Sequence, residues 1–175
     1  MRVRKRNDIN HDTSVYGEIV LALFNKLKEM FLSKSFGYAL RGILYIALLQ
    51  DEQRKIQIEE IAAKLSVPRH FLGKILQNVA RAGLLQSTKG PYGGFMLNAD
   101  TMSTPLIRLV EITDGMEHFN LCVLQFRNCD GVNPCPLHQE AEEIKTRLFT
   151  VLKHTTIADL LTDDKMIFIK SLSAQ

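Results

Sequence analysis

The run from Gln57 to Asn98 constrains this chain most, because helical periodicity stops once, resumes, and then gives way to alternation. Ile58, Ile61, Ala62 and Leu65 recur at the three- and four-residue intervals that place side chains on one helix face. The pattern breaks at Ser66-Val67-Pro68 and resumes with Phe71, Leu72, Ile75, Leu76 and Val79, ending near Ala82-Gly83. Proline is tolerated in a first helical turn, so Pro68 marks a helix start. LLQST and GFMLN then read as short strands around Lys89-Gly90-Pro91-Tyr92-Gly93-Gly94, which is hairpin chemistry. With Ala62 as the small residue where two helices cross and Ser66-Val67 as their connection, the order predicts a helix-turn-helix followed by a wing.

The flanking segments extend this frame. Residues 1–14 are polar and basic without periodicity, and Val15 to Met30 can form an amphipathic helix with Ile19, Leu23 and Leu27 along one stripe. Ser33 or Ser35 can cap an apolar helix from about Phe36 to Leu49. Downstream, Pro105 to Thr113 reads as a short helix ending at Asp114-Gly115. A long one runs from about Leu137 to Leu152, with Leu137, Ala141, Ile144, Leu148, Val151 and Leu152 on one side. No later element is large enough to cover that stripe, so a second copy is the expected cover, giving a homodimer. The expected fold class is mostly α with a small β-hairpin wing: a winged helix-turn-helix plus a long dimerisation helix. The expected organisation is an N-terminal extension over 1–29, the winged unit over 30–100, and a cysteine loop with the dimerisation helix over 101–170.

Which chemistry the winged unit supports depends on its outward face. With Phe71, Leu72, Ile75 and Leu76 turned in, Arg69, His70, Gly73, Lys74 and Gln77 face out, a set able to donate to phosphates and base edges. Gly73 would let the helix approach a duplex closely. Lys89 and Tyr92 belong to the turn of the hairpin and are the expected wing contacts. The net charge is only +3, so any nucleic-acid surface has to be local. A three-helix bundle with a solvated basic face would show the same helical pattern; the hairpin tips the balance towards DNA.

FLSKSFGYALRGILYIAL and IEEIAAKLSVPRHFLGKILQNVARAGLLQSTKGPYGGFML together resemble the Rrf-two family of bacterial winged-helix transcription regulators. The resemblance covers roughly residues 30 to 165, and ARAGLLQSTKGPYGGFML, which resembles the end of the recognition helix and the wing, is its most specific part. It implies a dimeric, sequence-specific DNA-binding regulator, taken as a repressor, on a near-palindromic double-stranded operator. The family usually has arginine where this chain has Lys89; lysine keeps the charge and loses the planar fork.

All three cysteines, Cys122, Cys129 and Cys135, lie in CVLQFRNCDGVNPCPLH. Random scatter would place three so close together roughly 2% of the time, which makes chance a poor account. Their spacings, C-x6-C and C-x5-C, are wider than the short loops that wrap a zinc ion, and suit an iron-sulfur cluster better. His138, three residues after Cys135, is within reach as a further ligand. A metal-free thiol sensor, a zinc site and inert cysteines remain alternatives. Some members of the resembled family bind a [2Fe-2S] cluster through three cysteines in this loop and a histidine three residues on, and CPLH resembles that arrangement. Others take a carboxylate from the first helix of the partner, where this chain has Gly37, so the resemblance points to His138. The first spacing is one residue longer than in the best-known members.

No GxSxG, P-loop, HExxH or paired-carboxylate pattern occurs, so an enzyme is not expected. An iron-sulfur scaffold or electron carrier is the remote alternative, for which a winged helix would serve no purpose. The longest apolar stretch, Val15 to Leu27, is interrupted by Glu18, Asn25 and Lys26, so no membrane span is expected and the protein is read as cytoplasmic.

Overall fold

The computed structural model describes residues 32–49, 54–120, 134 and 136–161. The helix expected over Val15 to Met30 and all three cysteines lie outside the described residues.

Ser33 begins the described fold. Its hydroxyl accepts from the backbone N–H groups of Ser35 and Phe36, at 3.0 and 3.2 Å, and so starts α1 (Lys34–Leu48) two residues before the expected Phe36. α2 (Ile58–Leu65) ends at Ser66, whose φ of +53° turns the chain sharply. Val67 then buries itself, and Pro68 caps α3 (Arg69–Arg81) from the position just before its first turn. The helix-turn-helix is thus built as the sequence predicts, with a left-handed serine at its corner.

β1 (Leu85–Thr88) and β2 (Gly94–Leu97) form an antiparallel hairpin with Leu85 opposite Leu97 and Thr88 opposite Gly94. Ile56, just before α2, bridges Phe95 through two backbone hydrogen bonds of 2.9 Å, so the wing is stitched to the helix-turn-helix at its far strand. This contact requires Gly94. Its φ is +150°, and a Cβ there would stand 2.6 Å from the Ile56 carbonyl oxygen.

α4 (Leu106–Thr113) follows, then a 3-10 turn over Glu117–Asn120, the long helix α5 (His138–His154), and, last among the described residues, a 3-10 turn over Ala158–Leu160. One cluster of buried side chains joins these elements. Ile43 and Leu44 of α1, Leu72 and Leu76 of α3, Leu109 and Val110 of α4, and Leu152 and Ile157 beyond them belong to it. α1 and α3 cross at Gly42, where a Cβ would come within 3.0 Å of Leu76.

Two expected faces turn out differently. Phe71, placed inward by periodicity, is 43% exposed and packs edge-on against Tyr38, with Arg41 stacked over the same tyrosine. On α5 the single broad stripe divides. Leu152 is buried and Leu148 half-buried against the core, while Leu137, Ile144 and Val151 are exposed. The reason is angular: residues seven apart stay on one line of a helix, and that line lies beyond the reach of α4.

Candidate nucleic-acid interface and cysteine segment

The outward face of α3 carries the residues that the sequence singled out. Arg69, His70, Lys74 and Gln77 are exposed, and with Ile58 and Gly73 they border a shallow depression along the helix. A Cβ at Gly73 would meet only Ile58, at an ordinary 3.6 Å, so the fold itself does not demand glycine there. Arg69 and Gln77 also border an open cleft of about 330 Å³ between α3 and the wing, whose other wall includes Lys89. Tyr92, at the wing tip, is 91% exposed. Five of the six expected contacts therefore sit on α3 or the adjoining cleft wall, and Tyr92 stands apart at the tip.

Two residues that periodicity did not flag shape this surface. Gln57, which precedes α2, donates from its side-chain amide to the Pro91 carbonyl at 3.0 Å and ties the hairpin turn to the helix-turn-helix. Glu59, in the first turn of α2, forms an ion pair of 2.7 Å with Arg69. Neither was legible as a partner, because each contact spans elements whose relative placement periodicity does not give. The adjacent Glu60 turns the other way. It accepts both terminal nitrogens of Arg54, at 2.7 and 2.9 Å, and the Tyr45 hydroxyl at 3.2 Å. The Arg54 hydrogen bonds hold its carboxyl below the usual value, against a smaller opposing effect of burial.

The cysteine segment is visible through its flanks. Phe119, two residues before the undescribed stretch begins, packs edge-on against Phe149 of α5 at 5.6 Å between ring centres. Its carbonyl accepts from the ammonium of Lys145, a side chain 5% exposed that also pairs with Glu142 at 3.0 Å. His138 is the first residue of α5 and is half-buried. Both flanks of the segment are thus held on one helix. Among the described residues no group of three or more metal-ligating side chains gathers, and Cys122, Cys129 and Cys135 are not among them.

A helix-turn-helix with a stitched wing, a second helix whose outward face carries Arg69, His70 and Lys74, and a long helix further along the chain fit the class of winged-helix transcription regulators. Comparison with known proteins narrows the class. The profile of the Rrf2 (Rrf-two) family, described as an iron-dependent transcriptional regulator, matches residues 32–163, and this chain belongs to that family. A protein of Aquifex aeolicus bearing the name of an HTH-type transcriptional regulator is 33% identical over 142 residues, covering 79% of this chain and 97% of that one. The regulator IscR of Vibrio parahaemolyticus is 25% identical over 140 residues, covering 80% and 82%. The solved structure of CymR, the global cysteine regulator of B. subtilis, superposes with a TM-score of 0.60 at 21% identity, over 74% of this chain and 94% of that one, a likeness of fold. The family consists of transcriptional regulators rather than enzymes. Among the described residues no helix is long and apolar enough to cross a membrane.

Proposed function

We propose that this chain is a homodimeric, cytoplasmic repressor that reads a near-palindromic operator with α3 and the wing, and whose grip on DNA depends on a [2Fe-2S] cluster held by Cys122, Cys129, Cys135 and His138. One observation carries the sensing part: the flanks of the segment holding every cysteine are both fastened to α5, the helix that also presents Ile144 and Val151, exposed in line with Leu137 just before its first residue. A change in the segment therefore acts on the helix expected to join two copies. The donor set fits the group, since three thiols leave an iron site that an imidazole can take. A bound cluster would supply redox-sensitive charge and a crosslink between the ligands.

On the DNA side, Arg69, His70, Lys74 and Gln77 would contact base edges and phosphates, and Lys89 and Tyr92 the backbone beside the groove. Two copies related by a twofold axis would place their α3 helices on half-sites one or more helical turns apart.

The test is anaerobic purification of the full chain, followed by absorption spectroscopy and iron and sulfide analysis. Affinity is then measured for a duplex recovered by the protein from a randomised pool. Visible charge-transfer bands, with affinities that differ between the cluster-bound and stripped protein, are the expected result; allosteric coupling is usually about 1–3 kcal/mol. Absence of iron with affinity that responds to thiol oxidation would replace the cluster by a metal-free thiol switch. Identical affinity in every state would remove the sensing function altogether.

A further inference from the structure

Arg69 is the first residue of α3, and its position is electrostatically unfavourable. Helix N-termini carry partial positive charge, which favours anions and disfavours a guanidinium. The first turn of α3 has no acidic residue to offset it. The compensating carboxylate comes from another helix: Glu59 Oε1 lies 2.7 Å from Arg69 Nε, across the mouth of the cleft between α3 and the wing.

This pair does little for the fold. The two side chains are 68% and 53% exposed, and exposed pairs contribute little to stability. The neighbouring Glu60 already provides α2 with an inward acidic contact, through Arg54 and Tyr45. A carboxylate on a surface meant for a polyanion also weakens sequence-independent binding, since it repels phosphates. A group with little structural value and an electrostatic penalty is explained best by what it does to its partner. The ion pair engages Arg69 at Nε, on one side of the guanidinium, a mode that leaves donors of the terminal pair Nη1 and Nη2 open to another acceptor. That pair carries the two parallel donors that match O6 and N7 of guanine in the major groove.

We infer that Glu59 is a specificity-determining positioning residue, which holds Arg69 end-on for guanine recognition at the expense of sequence-independent affinity. The inference rests on the reading of α3 as the groove-reading helix. Glu59 acts through Arg69 and need not touch DNA.

The experiment uses the full chain, the duplex motif that it recovers from a randomised pool, and every single-base variant of that motif. Arg69→Ala identifies the position that Arg69 reads. Glu59→Ala and Glu59→Gln are expected to weaken the guanine preference at that same position about tenfold, to leave the other positions unchanged, and to raise affinity for a scrambled duplex. Glu59→Ala placed on Arg69→Ala should alter the base preference no further, a coupling that a purely structural residue would not show. Unchanged thermal midpoints for the Glu59 variants exclude a folding effect. If Arg69→Ala erases one guanine preference while both Glu59 variants keep the motif intact, Glu59 is an ordinary surface charge and the inference falls alone. If Arg69→Ala changes no position, or the chain recovers no motif, the reading of α3 falls and takes the inference with it.

Discussion

Ser33 and Asp114, 81 residues apart, lock the start of α1 to the end of α4: the Ser33 backbone N–H donates to one carboxylate oxygen of Asp114 at 2.7 Å, and its hydroxyl donates to the other. The same hydroxyl accepts from two N–H groups of α1, so a single side chain caps one helix and fastens it to another. Asp114 also places negative charge near the positive end of α1. Because Asp114 stands three residues before the 3-10 turn that precedes the cysteine segment, this contact joins α1 to the approach of that segment.

Ser33→Ala should therefore lower stability by about 1–3 kcal/mol, the sum of a lost cap and a lost charge-assisted hydrogen bond. Asp114→Asn keeps the shape and one acceptor, and should cost less than Ser33→Ala. Denaturant midpoints at unchanged slope would measure both. Equal stability of the wild type and Ser33→Ala would show that the cap is replaced by solvent.

Lys145 offers a second test. The ammonium of this buried lysine reaches the Phe119 carbonyl and Glu142, contacts that offset the cost of burying its charge. Lys145→Met retains the stem and removes the donor, leaving that carbonyl without this hydrogen bond; a loss of about 1–3 kcal/mol is expected. Amide exchange at Phe119 and the residues after it should accelerate more than exchange in α3. Uniform acceleration across the chain would mean that Lys145 supports the whole core rather than the start of the cysteine segment.

How far the sequence carried this picture depends on whether a feature is local. Helix order, the Ser66 corner and the hairpin follow from spacing and turn chemistry, which are encoded within a few residues of where they act. Ser33 and Ser35 could not be told apart, since both precede the same apolar run and only the Asp114 contact fixes Ser33. Periodicity places Phe71 inward because it specifies a face but not whether a neighbour covers its edge. The burial of Lys145 was invisible for the same reason, its acceptor lying 26 residues earlier in the chain. Arg69, Lys74 and Gln77 were legible as an outward face, whereas Glu59 was not, because its role comes from how α2 meets α3. The cysteine spacing was the plainest chemical signal in the sequence, yet it falls outside the described residues.

Gly94 supports a prediction about the wing. A methyl group there would press on the Ile56 carbonyl, and the φ of +150° adds backbone strain. Gly94→Ala should cost about 1–3 kcal/mol, displacing the hairpin from Ile56 while α3 keeps its packing. Operator affinity should then fall, with base preferences at positions read by α3 retained. Loss of those preferences as well would show that the wing holds α3 in place.

Glu60 sets an expected pH dependence. Its folded carboxyl titrates below the ordinary 4.5, chiefly because of the Arg54 hydrogen bonds. A depressed folded value means that the stabilisation is fully present above 4.5 and is lost as pH falls from there through the lower folded value. Glu60→Gln should be less stable than the wild type at neutral pH, and the difference should shrink below 4.5. Asp159 is depressed from 3.8 by its hydrogen bonds from Thr156 and remains in both proteins, so the difference between them isolates Glu60. A stability difference that stays constant through the acid range would exclude an ionic role for Glu60.

The exposed line on α5 carries the last prediction. Ile144 and Val151 are 57% and 52% exposed in the single chain, seven residues apart and in line with Leu137. A line of large apolar side chains at that interval is the seam one helix offers to another. Because these positions face outward, Ile144→Glu and Val151→Glu should change the stability of an isolated chain by no more than about 0.5 kcal/mol. In a dimer joined through this line, each would bury a carboxylate without a partner. Sedimentation should show the wild type at twice the chain mass and the double variant at the monomer mass, with operator affinity sharply reduced because two half-sites are no longer read together. Leu148→Glu, on the inward side, should instead unfold the chain. A double variant that keeps the dimer mass would move the interface away from α5, and with it the route by which the cysteine segment is proposed to act on DNA.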